Sequence, residues 1–216
     1  MNKSQNIDKW ISLEPQSTAL LVIDMQVDFI SPQGKAAKRG KKLFQMQSIT
    51  GKVEDFAQKF TDMGLLVVYT KFVSGKAITP ANLNIAVLKE GSDLPCIKGS
   101  GGEELYGLKV PPGAMLIEKP HYDAFAYTNL KKLLTNKSIK NILVTGVRTE
   151  ICVDTTAKRA AAEGYNTIIV SDLVATYDDR IVRHNEVLDS FNNYYGFVID
   201  SQGVIGLLSE AKHRKQ

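Results

Sequence analysis

Three side chains that could carry out nucleophilic and acid–base chemistry follow three different apolar runs of this 216-residue sequence. Asp24 and Lys119 stand at or just after the ends of two runs, and Cys152 comes shortly after a third. A thiol beside a carboxylate and an ammonium can be activated to attack a carbonyl carbon. Each also has an ordinary interpretation: a small buried thiol, a loop-capping carboxylate and a surface lysine with a buried stem. Their conjunction favours chemistry.

The local setting of Cys152 is the most informative of the three. Thr149 is a good N-cap residue for the helix predicted to follow, which puts Cys152 in the first helical turn. Unpaired backbone N–H groups and the positive end of the helix dipole favour an anion there. The sequence therefore predicts a lowered thiol pKa and a reactive cysteine.

The elements that must position these residues alternate between short apolar runs and segments of helical spacing. Strands are predicted at 19–23, 65–70, 115–117, 142–145, 167–170 and, with a weaker pattern, 196–199. Helices are predicted at 53–63, 128–134, 150–163 and 179–191. This order indicates an α/β fold, a three-layer α/β/α sandwich around a mostly parallel, Rossmann-like sheet of about six strands. The carboxyl ends of such strands converge at one edge, where ligands bind.

The positions of glycine and proline residues support this order of strands and helices. Gly64 and Gly164 stand where helices should end before the next strand. The segment 82–112 is rich in glycine and proline and is interpreted as an ordered excursion, a kind of loop that is often functional. No repeat or composition shift marks a boundary, so residues 1–216 are expected to form one domain.

Composition excludes several classes of protein. No apolar run is long enough to cross a membrane and the amino terminus has no export signal, so a cytoplasmic protein is expected, with no membrane partner. Cys96 and Cys152 are expected to be free thiols. The formal net charge is +4, partly from a basic tail at 212–215 and from one cluster. That cluster comprises Lys35, Lys38, Arg39, Lys41 and Lys42.

Neither basic segment is accompanied by a nucleic-acid-binding motif, so no nucleic-acid partner is predicted. A solvated loop and a frayed end are the expected interpretations of the cluster and the tail. In a milder functional version, the segment 35–42 attracts an anionic substrate toward a nearby site.

Three motifs around these residues resemble the isochorismatase-like, or cysteine hydrolase, superfamily. Residues 21–29 read LVIDMQVDF, residues 118–125 read EKPHYDAF and residues 145–153 read TGVRTEICV. The resemblance covers 19–208, and the three motifs occur in the family's order at compatible distances. It implies a catalytic triad of Asp24, Lys119 and Cys152, acting on a small molecule without a cofactor.

The resemblance also implies the surroundings of the triad. The backbone N–H groups of Arg148 and Cys152 would form an oxyanion hole, with a cis peptide bond between Val147 and Arg148. The predicted substrate-binding residues are Tyr122, Phe125, Lys71 and Phe29. Members of the family often assemble into dimers or tetramers, so a homo-oligomer is expected.

Departures from the family's pattern narrow the range of metals and substrates expected at the site. Nicotinamidases of the family carry an Asp-His-His metal site in the loop after the second strand, but residues 71–76 contain no histidine. No metal is therefore predicted. Of the three histidines, His184 is expected to be structural, and His121 either faces the pocket or faces solvent. If the side chain of Arg148 turns inward opposite Lys71, the pocket would suit a carboxylate-bearing substrate.

The leading hypothesis is hydrolysis of a C–N bond in a small linear amide or N-carbamoyl compound through a thioester. One alternative is an isochorismatase-type enol-ether hydrolase, for which a thiol is not obligatory. Another is a non-catalytic thiol protein of the same fold, with a redox or binding role. Under the leading hypothesis, Lys119→Ala is expected to abolish turnover with little loss of folding.

Overall fold

The computed structural model describes residues 10–83 and 93–213 of the chain. The polar amino terminus, the stretch 84–92 of the predicted excursion and the last residues of the basic tail lie outside the described residues. None of the helices in the described ranges combines the length and apolar character needed to span a bilayer.

One six-stranded sheet organises the described residues, in the order β3-β2-β1-β4-β5-β6. Its strands are β1 (Thr18–Ile23), β2 (Leu66–Phe72), β3 (Met115–Lys119), β4 (Asn141–Val147), β5 (Asn166–Ala175) and β6 (Phe197–Ile199). Neighbouring strands are parallel throughout. The predicted strands are all found, most of them longer than expected, because pairing with a neighbour extends a strand beyond its apolar run.

The helices that cover the sheet are α1 (Val27–Ile30), α2 (Lys35–Lys38), α3 (Phe44–Asp62), α4 (Leu130–Asn136), α5 (Asp154–Ala162), α6 (Ile181–Tyr194) and α7 (Ser201–His213). A π-helical turn, Thr149–Val153, precedes α5 directly. The four predicted helices correspond to α3, α4, the π-turn with α5, and α6. The sequence analysis did not predict α1, α2 or α7.

Side-chain alternation along the strands builds two cores, one on each face of the sheet. In β1, Leu20 and Val22 enter the core with α3 and α7, whereas Leu21 and Ile23 enter the core with α4, α5 and α6. Every residue of β1 is buried, as expected for a central strand covered on both faces. The three-layer α/β/α architecture predicted from the sequence is therefore confirmed.

Two glycines end helices as predicted. Gly64 and Gly164 both have positive φ, and their N–H groups bond back to the last helical turns at Thr61 and Ala161. A residue with a Cβ adopts this left-handed conformation only at a cost, so glycine allows each chain to turn directly into β2 or β5.

The carboxyl ends of β1 and β4 meet where the strand order reverses, which is the usual ligand crevice of such sheets. Gly146 of β4 has a φ of 105°, and an added Cβ would lie 2.1 Å from the carbonyl oxygen of Ile23. This close approach fixes the end of β1. The described part of the excursion, 93–112, covers the same edge through bridges from Leu105 to Gln26 and from Ile97 to Ser74.

Candidate active site

Asp24 is the first residue after β1 and is fully buried. Its φ of 47° lies in the left-handed region, which aspartate tolerates better than most residues. The Thr70 hydroxyl donates a hydrogen bond of 2.7 Å to Oδ1 and lies 3.3 Å from the Asp24 backbone nitrogen. The neighbouring strand β2 thus holds the carboxylate in one orientation.

Lys119 ends the edge strand β3 and is also fully buried. Its Nζ lies 2.6 Å from Asp24 Oδ2 and donates to the carbonyl oxygens of His121 (2.8 Å) and Tyr122 (3.1 Å). Burial acts to lower the pKa of the ammonium, but the charges of Asp24 and Cys152 outweigh burial and raise that pKa above its ordinary value. The lysine therefore stays charged beside the carboxylate.

Cys152 lies in the π-turn that connects β4 to α5, and its side chain is buried. The carbonyl of Arg148 accepts hydrogen bonds from the N–H groups of Ile151 and Val153, which flank the cysteine. Such π-turns within helices are frequent at functional sites. The predicted capping role of Thr149 is wrong, because its hydroxyl bonds His184 Nδ1 at 2.8 Å instead of a helical N–H group.

The pKa of the Cys152 thiol is raised, whereas the sequence predicted that it would be lowered. Burial raises the pKa well above its ordinary value, the Lys119 ammonium lowers it, and the charge and hydrogen bond of Asp24 raise it again. The predicted lowering by a helix start is therefore wrong, because desolvation of the thiolate exceeds any stabilisation by the turn. The resting residue is therefore a thiol under the influence of a nearby carboxylate and ammonium.

Arg148 connects β4 to the π-turn, and the peptide bond between Val147 and Arg148 is cis. The guanidinium turns toward the site: Nη2 lies 2.8 Å from Glu150 Oε1, and the carbon of the group lies 4.3 Å from the centre of the Tyr177 ring. Burial acts to lower its pKa, but Tyr177 and Glu150 raise that pKa above the ordinary value. The arginine is thus held charged near Cys152.

Two adjoining cavities open over these residues. The inner cavity, of about 90 Å³, is lined by Cys152, and the outer cleft, of about 810 Å³, extends from it toward α6. The residues that line both are Ala36, Arg39, Tyr122, Arg148, Ile151 and Tyr177. The outer cleft is within the usual size range of small-molecule sites.

The four predicted substrate-binding residues divide into two pairs. Tyr122 and Phe29 line the inner cavity. Lys71 and Phe125 line neither cavity, so the structure contradicts their predicted contacts. The Lys71 ammonium is instead bound to Glu104 at 2.9 Å, and Phe125 is a core residue whose ring packs against Tyr165. Lys71 lies within β2 rather than in a following loop, and it does not line the cavity that Arg148 lines.

The basic cluster differs from its expected form. Its first residues form the helix α2, and both Lys35 and Arg39 line the inner cavity. Lys41 instead pairs with Asp179 at 3.1 Å. The interpretation as a solvated loop is therefore wrong for Lys35, which begins α2 and is half-buried, whereas Arg39, just after α2, is exposed and lines the cavity at its rim.

Several other residues fix the backbone around the site. His184 holds Thr149, and Asp172 accepts bonds from the N–H and hydroxyl of Ser201 at the start of α7. His121 is partly buried, accepts a bond from the Asp123 N–H and lines neither cavity. Cys96 is buried, and its N–H bonds Asp28 Oδ2 at 2.7 Å.

Two buried polar residues at the site were not predicted from the sequence. Thr70 orients Asp24, and its place near the end of the run that pairs with β1 was the available signal. Gln26 donates from Nε2 to the carbonyls of Phe72 and Glu103 and accepts the Phe72 N–H, so that it joins the loop after β1 to β2 and the excursion. Nothing in its spacing reveals these partners.

The residues do not fit a metal site of the kind known in nicotinamidases. Within residues 10–83 and 93–213, no three histidine, cysteine, aspartate or glutamate side chains come together as ligands. At the end of β2, where such a site would begin, Lys71 binds Glu104. A reaction of the thiol, carboxylate and ammonium at this site needs no metal.

The class of protein follows from these features: a Rossmann-like α/β protein with a thiol, a carboxylate and an ammonium buried at the carboxyl edge of its parallel sheet. The sequence profile of the Isochorismatase domain matches residues 18–203. The chain therefore belongs to the isochorismatase family, whose members are hydrolases, with amidases among them.

Several solved structures share this fold. A cysteine hydrolase from Pseudomonas syringae pv. phaseolicola aligns with a TM-score of 0.83 at 22% identity, covering 93% of this chain and 96% of that chain. A pyrazinamidase/nicotinamidase from Streptococcus mutans has 26% identity and a TM-score of 0.71, covering 85% and 100%. N-carbamoylsarcosine amidase from Thermoplasma acidophilum has 26% identity and a TM-score of 0.70, covering 85% and 95%.

Proposed function

We propose that this protein is a cysteine-dependent hydrolase that cleaves the C–N bond of a small linear amide or N-carbamoyl compound. The observation that carries the proposal is the meeting of three groups: Lys119 Nζ lies 2.6 Å from the buried Asp24 carboxylate, and both groups act electrostatically on the Cys152 thiol. Two similar structures, named as a nicotinamidase and an N-carbamoylsarcosine amidase, act on C–N bonds and support the reaction class.

The raised pKa of the thiol decides how the reaction begins. Because Cys152 rests as a thiol, attack requires a base, and Asp24 is the nearby carboxylate that can accept the proton. As the sulfur bonds to the carbonyl carbon, its proton passes to Asp24. The Lys119 ammonium stabilises the negative charge that moves between the carboxylate and the sulfur.

The tetrahedral intermediate places an anionic oxygen near the π-turn, where the backbone N–H groups of Arg148 and Cys152 are the proposed donors. Collapse breaks the C–N bond, and Asp24 returns its proton to the departing nitrogen, which leaves as ammonia. Water then adds to the thioester, with Asp24 taking one proton and returning it to the sulfur. An acid, or a carbamate from a carbamoyl substrate, is released and the thiol is restored.

Three further expectations remain proposals that rest on the family. Residues 1–216 would form one domain of this kind, the enzyme would need no cofactor, and the chain would assemble into a dimer or tetramer. The small inner cavity, which Phe29 and Tyr122 line together with Cys152, supports a small substrate.

The test is ammonia release over a panel of small amides, ureides and N-carbamoyl acids. Wild type is expected to release ammonia from at least one compound, and Cys152→Ala should release none above background. Cys96→Ala removes the other buried thiol, lies outside the proposed triad and should retain turnover within a few-fold.

Two results would contradict the proposal. If wild type hydrolyses none of the panel while Cys152 reacts with alkylating reagents, a non-catalytic thiol role gains support. If Cys152→Ala keeps most of the turnover, an acid-catalysed reaction such as enol-ether hydrolysis replaces thioester chemistry.

A further inference from the structure

The inner cavity carries an excess of positive charge around the thiol. Lys35, Arg39 and Arg148 line it together with Cys152, against a single lining carboxylate, Asp28. Both oxygens of that carboxylate are already bonded to backbone N–H groups, those of Lys35 (3.1 Å) and Cys96 (2.7 Å). Asp28 therefore fixes the backbone around the cavity, and the three cations that line the cavity are not paired with it.

The partners of these cations hold them without cancelling their charge. Lys35 Nζ donates to the carbonyl of Leu94 at 2.6 Å, and Arg39 donates to the carbonyl of Asp93. Carbonyl oxygens are neutral, so both side chains are oriented at full charge. In the ranges that the structure describes, neither cation forms an ion pair with a carboxylate.

Arg148 differs because it has a carboxylate partner, Glu150, but part of its guanidinium remains unused. Glu150 lines the outer cleft and not the inner cavity. The Arg148 Nε is buried and has no hydrogen-bond partner among the described residues. A buried N–H without a partner is costly, so a bound oxygen atom would remove that cost.

From this arrangement we infer that the substrate carries a carboxylate, which binds between Lys35, Arg39 and Arg148 while its amide or carbamoyl carbon lies at Cys152. The inference rests on the proposed hydrolase function and names its substrate class. A neutral amide would gain nothing from three cations, whereas the forked guanidinium of arginine matches the two oxygens of a carboxylate. The small size of the cavity keeps the carboxylate and the reacting carbon in one short molecule.

Two pairs of probes test the inference, because the members of each pair differ only in a carboxylate or its amide: succinamate against succinamide, and N-carbamoylglycine against N-carbamoylglycinamide. Wild type should hydrolyse the anionic member of at least one pair with a kcat/KM about 100-fold higher. Arg39→Gln should raise KM for that anion about tenfold or more and so reduce the preference for the anion over its neutral partner. Arg183→Gln, which removes a guanidinium from the outer cleft only, should keep the preference.

Binding to Cys152→Ala separates this inference from the proposed function, since calorimetry needs no turnover. The anionic probe should bind, and adding Arg39→Gln should weaken it about tenfold or more. If wild type hydrolyses neutral members as well as anionic ones, the anion site is overturned and the hydrolase stands. If the anion binds through Arg39 but no amide or carbamoyl compound is hydrolysed, the anion site stands and the hydrolase proposal fails.

Discussion

The two edges of the sheet both bury polar side chains, but they use different chemistry to do so. At the amino edge, Asn141 donates to the Ser12 carbonyl (3.0 Å) and to the Thr18 hydroxyl (3.2 Å) and accepts from Asn166 (2.9 Å). Every group in that network is neutral. At the carboxyl edge, the fully buried side chains of Asp24 and Lys119 form an ion pair, and Cys152 lines the inner cavity.

This difference separates a structural role from a chemical one. A neutral network that satisfies itself needs no ligand and joins the strands rigidly. A buried ion pair contributes little net stability, because the cost of desolvating the two charges offsets most of their attraction. Burying Asp24 and Lys119 next to a thiol is therefore reasonable only if their charges are used when a ligand binds. The following predictions test that distinction.

The largest expected effect comes from Asp24→Asn. The amide keeps the shape of the side chain but cannot take the thiol proton, so kcat/KM for ammonia release should fall about 10³- to 10⁴-fold. Asp172→Asn makes the same chemical change at a carboxylate that holds α7, and it should stay within a few-fold of wild type. Equal losses in the two variants would remove Asp24 from the mechanism.

Lys119→Ala should reduce stability as well as turnover. The sequence alone suggested little loss of folding, but full burial of Lys119 means that its removal leaves the Asp24 carboxylate without its cation. We expect the free energy of unfolding to fall by about 3–5 kcal/mol in urea titrations.

A double-mutant cycle sharpens this result. The variant that combines Asp24→Asn with Lys119→Ala removes both charges of the pair, so it should be destabilised less than the sum of the two single changes. A coupling of about 1–3 kcal/mol is expected. Strictly additive losses would show that the two groups do not interact in the folded protein.

The residues of the site were predictable from sequence to different degrees. Asp24 and Lys119 each lie at the end of an apolar run, and parallel strands bring such ends to one edge, so local pattern and topology sufficed. The parallel sheet followed from the same reasoning, whereas the order of the strands and the meeting of β1 with β4 were not predicted. Helix α7 was missed because its apolar spacing is interrupted by Gly203 and Gly206.

Properties that depend on burial were not predictable. The thiol pKa was expected to fall because a helix start is visible in sequence, whereas the desolvation that raises it depends on the surrounding packing. Likewise, Lys71 and Phe125 are close in sequence to site residues but face away from the cavities. The partners of Lys35 and Arg39 lie in the excursion, far along the chain.

Asn141→Ala tests the amino edge and should affect stability alone. It removes three hydrogen bonds made by a buried side chain, which should cost about 2–3 kcal/mol. Ammonia release by the folded variant should match wild type. A fall in kcat/KM similar to that of Asp24→Asn would contradict the division between the two edges.

The smallest expected effect is on how steeply the free energy of unfolding falls as the pH rises in the alkaline range. The folded-state pKa of Cys152 is raised, so the folded protein keeps the thiol proton at pH values where the unfolded chain, with a cysteine pKa of about 8.5, has lost it. The unfolded state then binds fewer protons, and the free energy of unfolding falls by up to about 1.4 kcal/mol per pH unit above that value. Below it, Cys152 contributes no slope.

Urea titrations from pH 7 to 10 should show a shallower fall for Cys152→Ala than for wild type, while any contribution from Cys96 remains in both. Identical slopes would mean that the Cys152 thiol ionises as readily in the folded protein as in the unfolded chain, which would remove the need for Asp24 as its base.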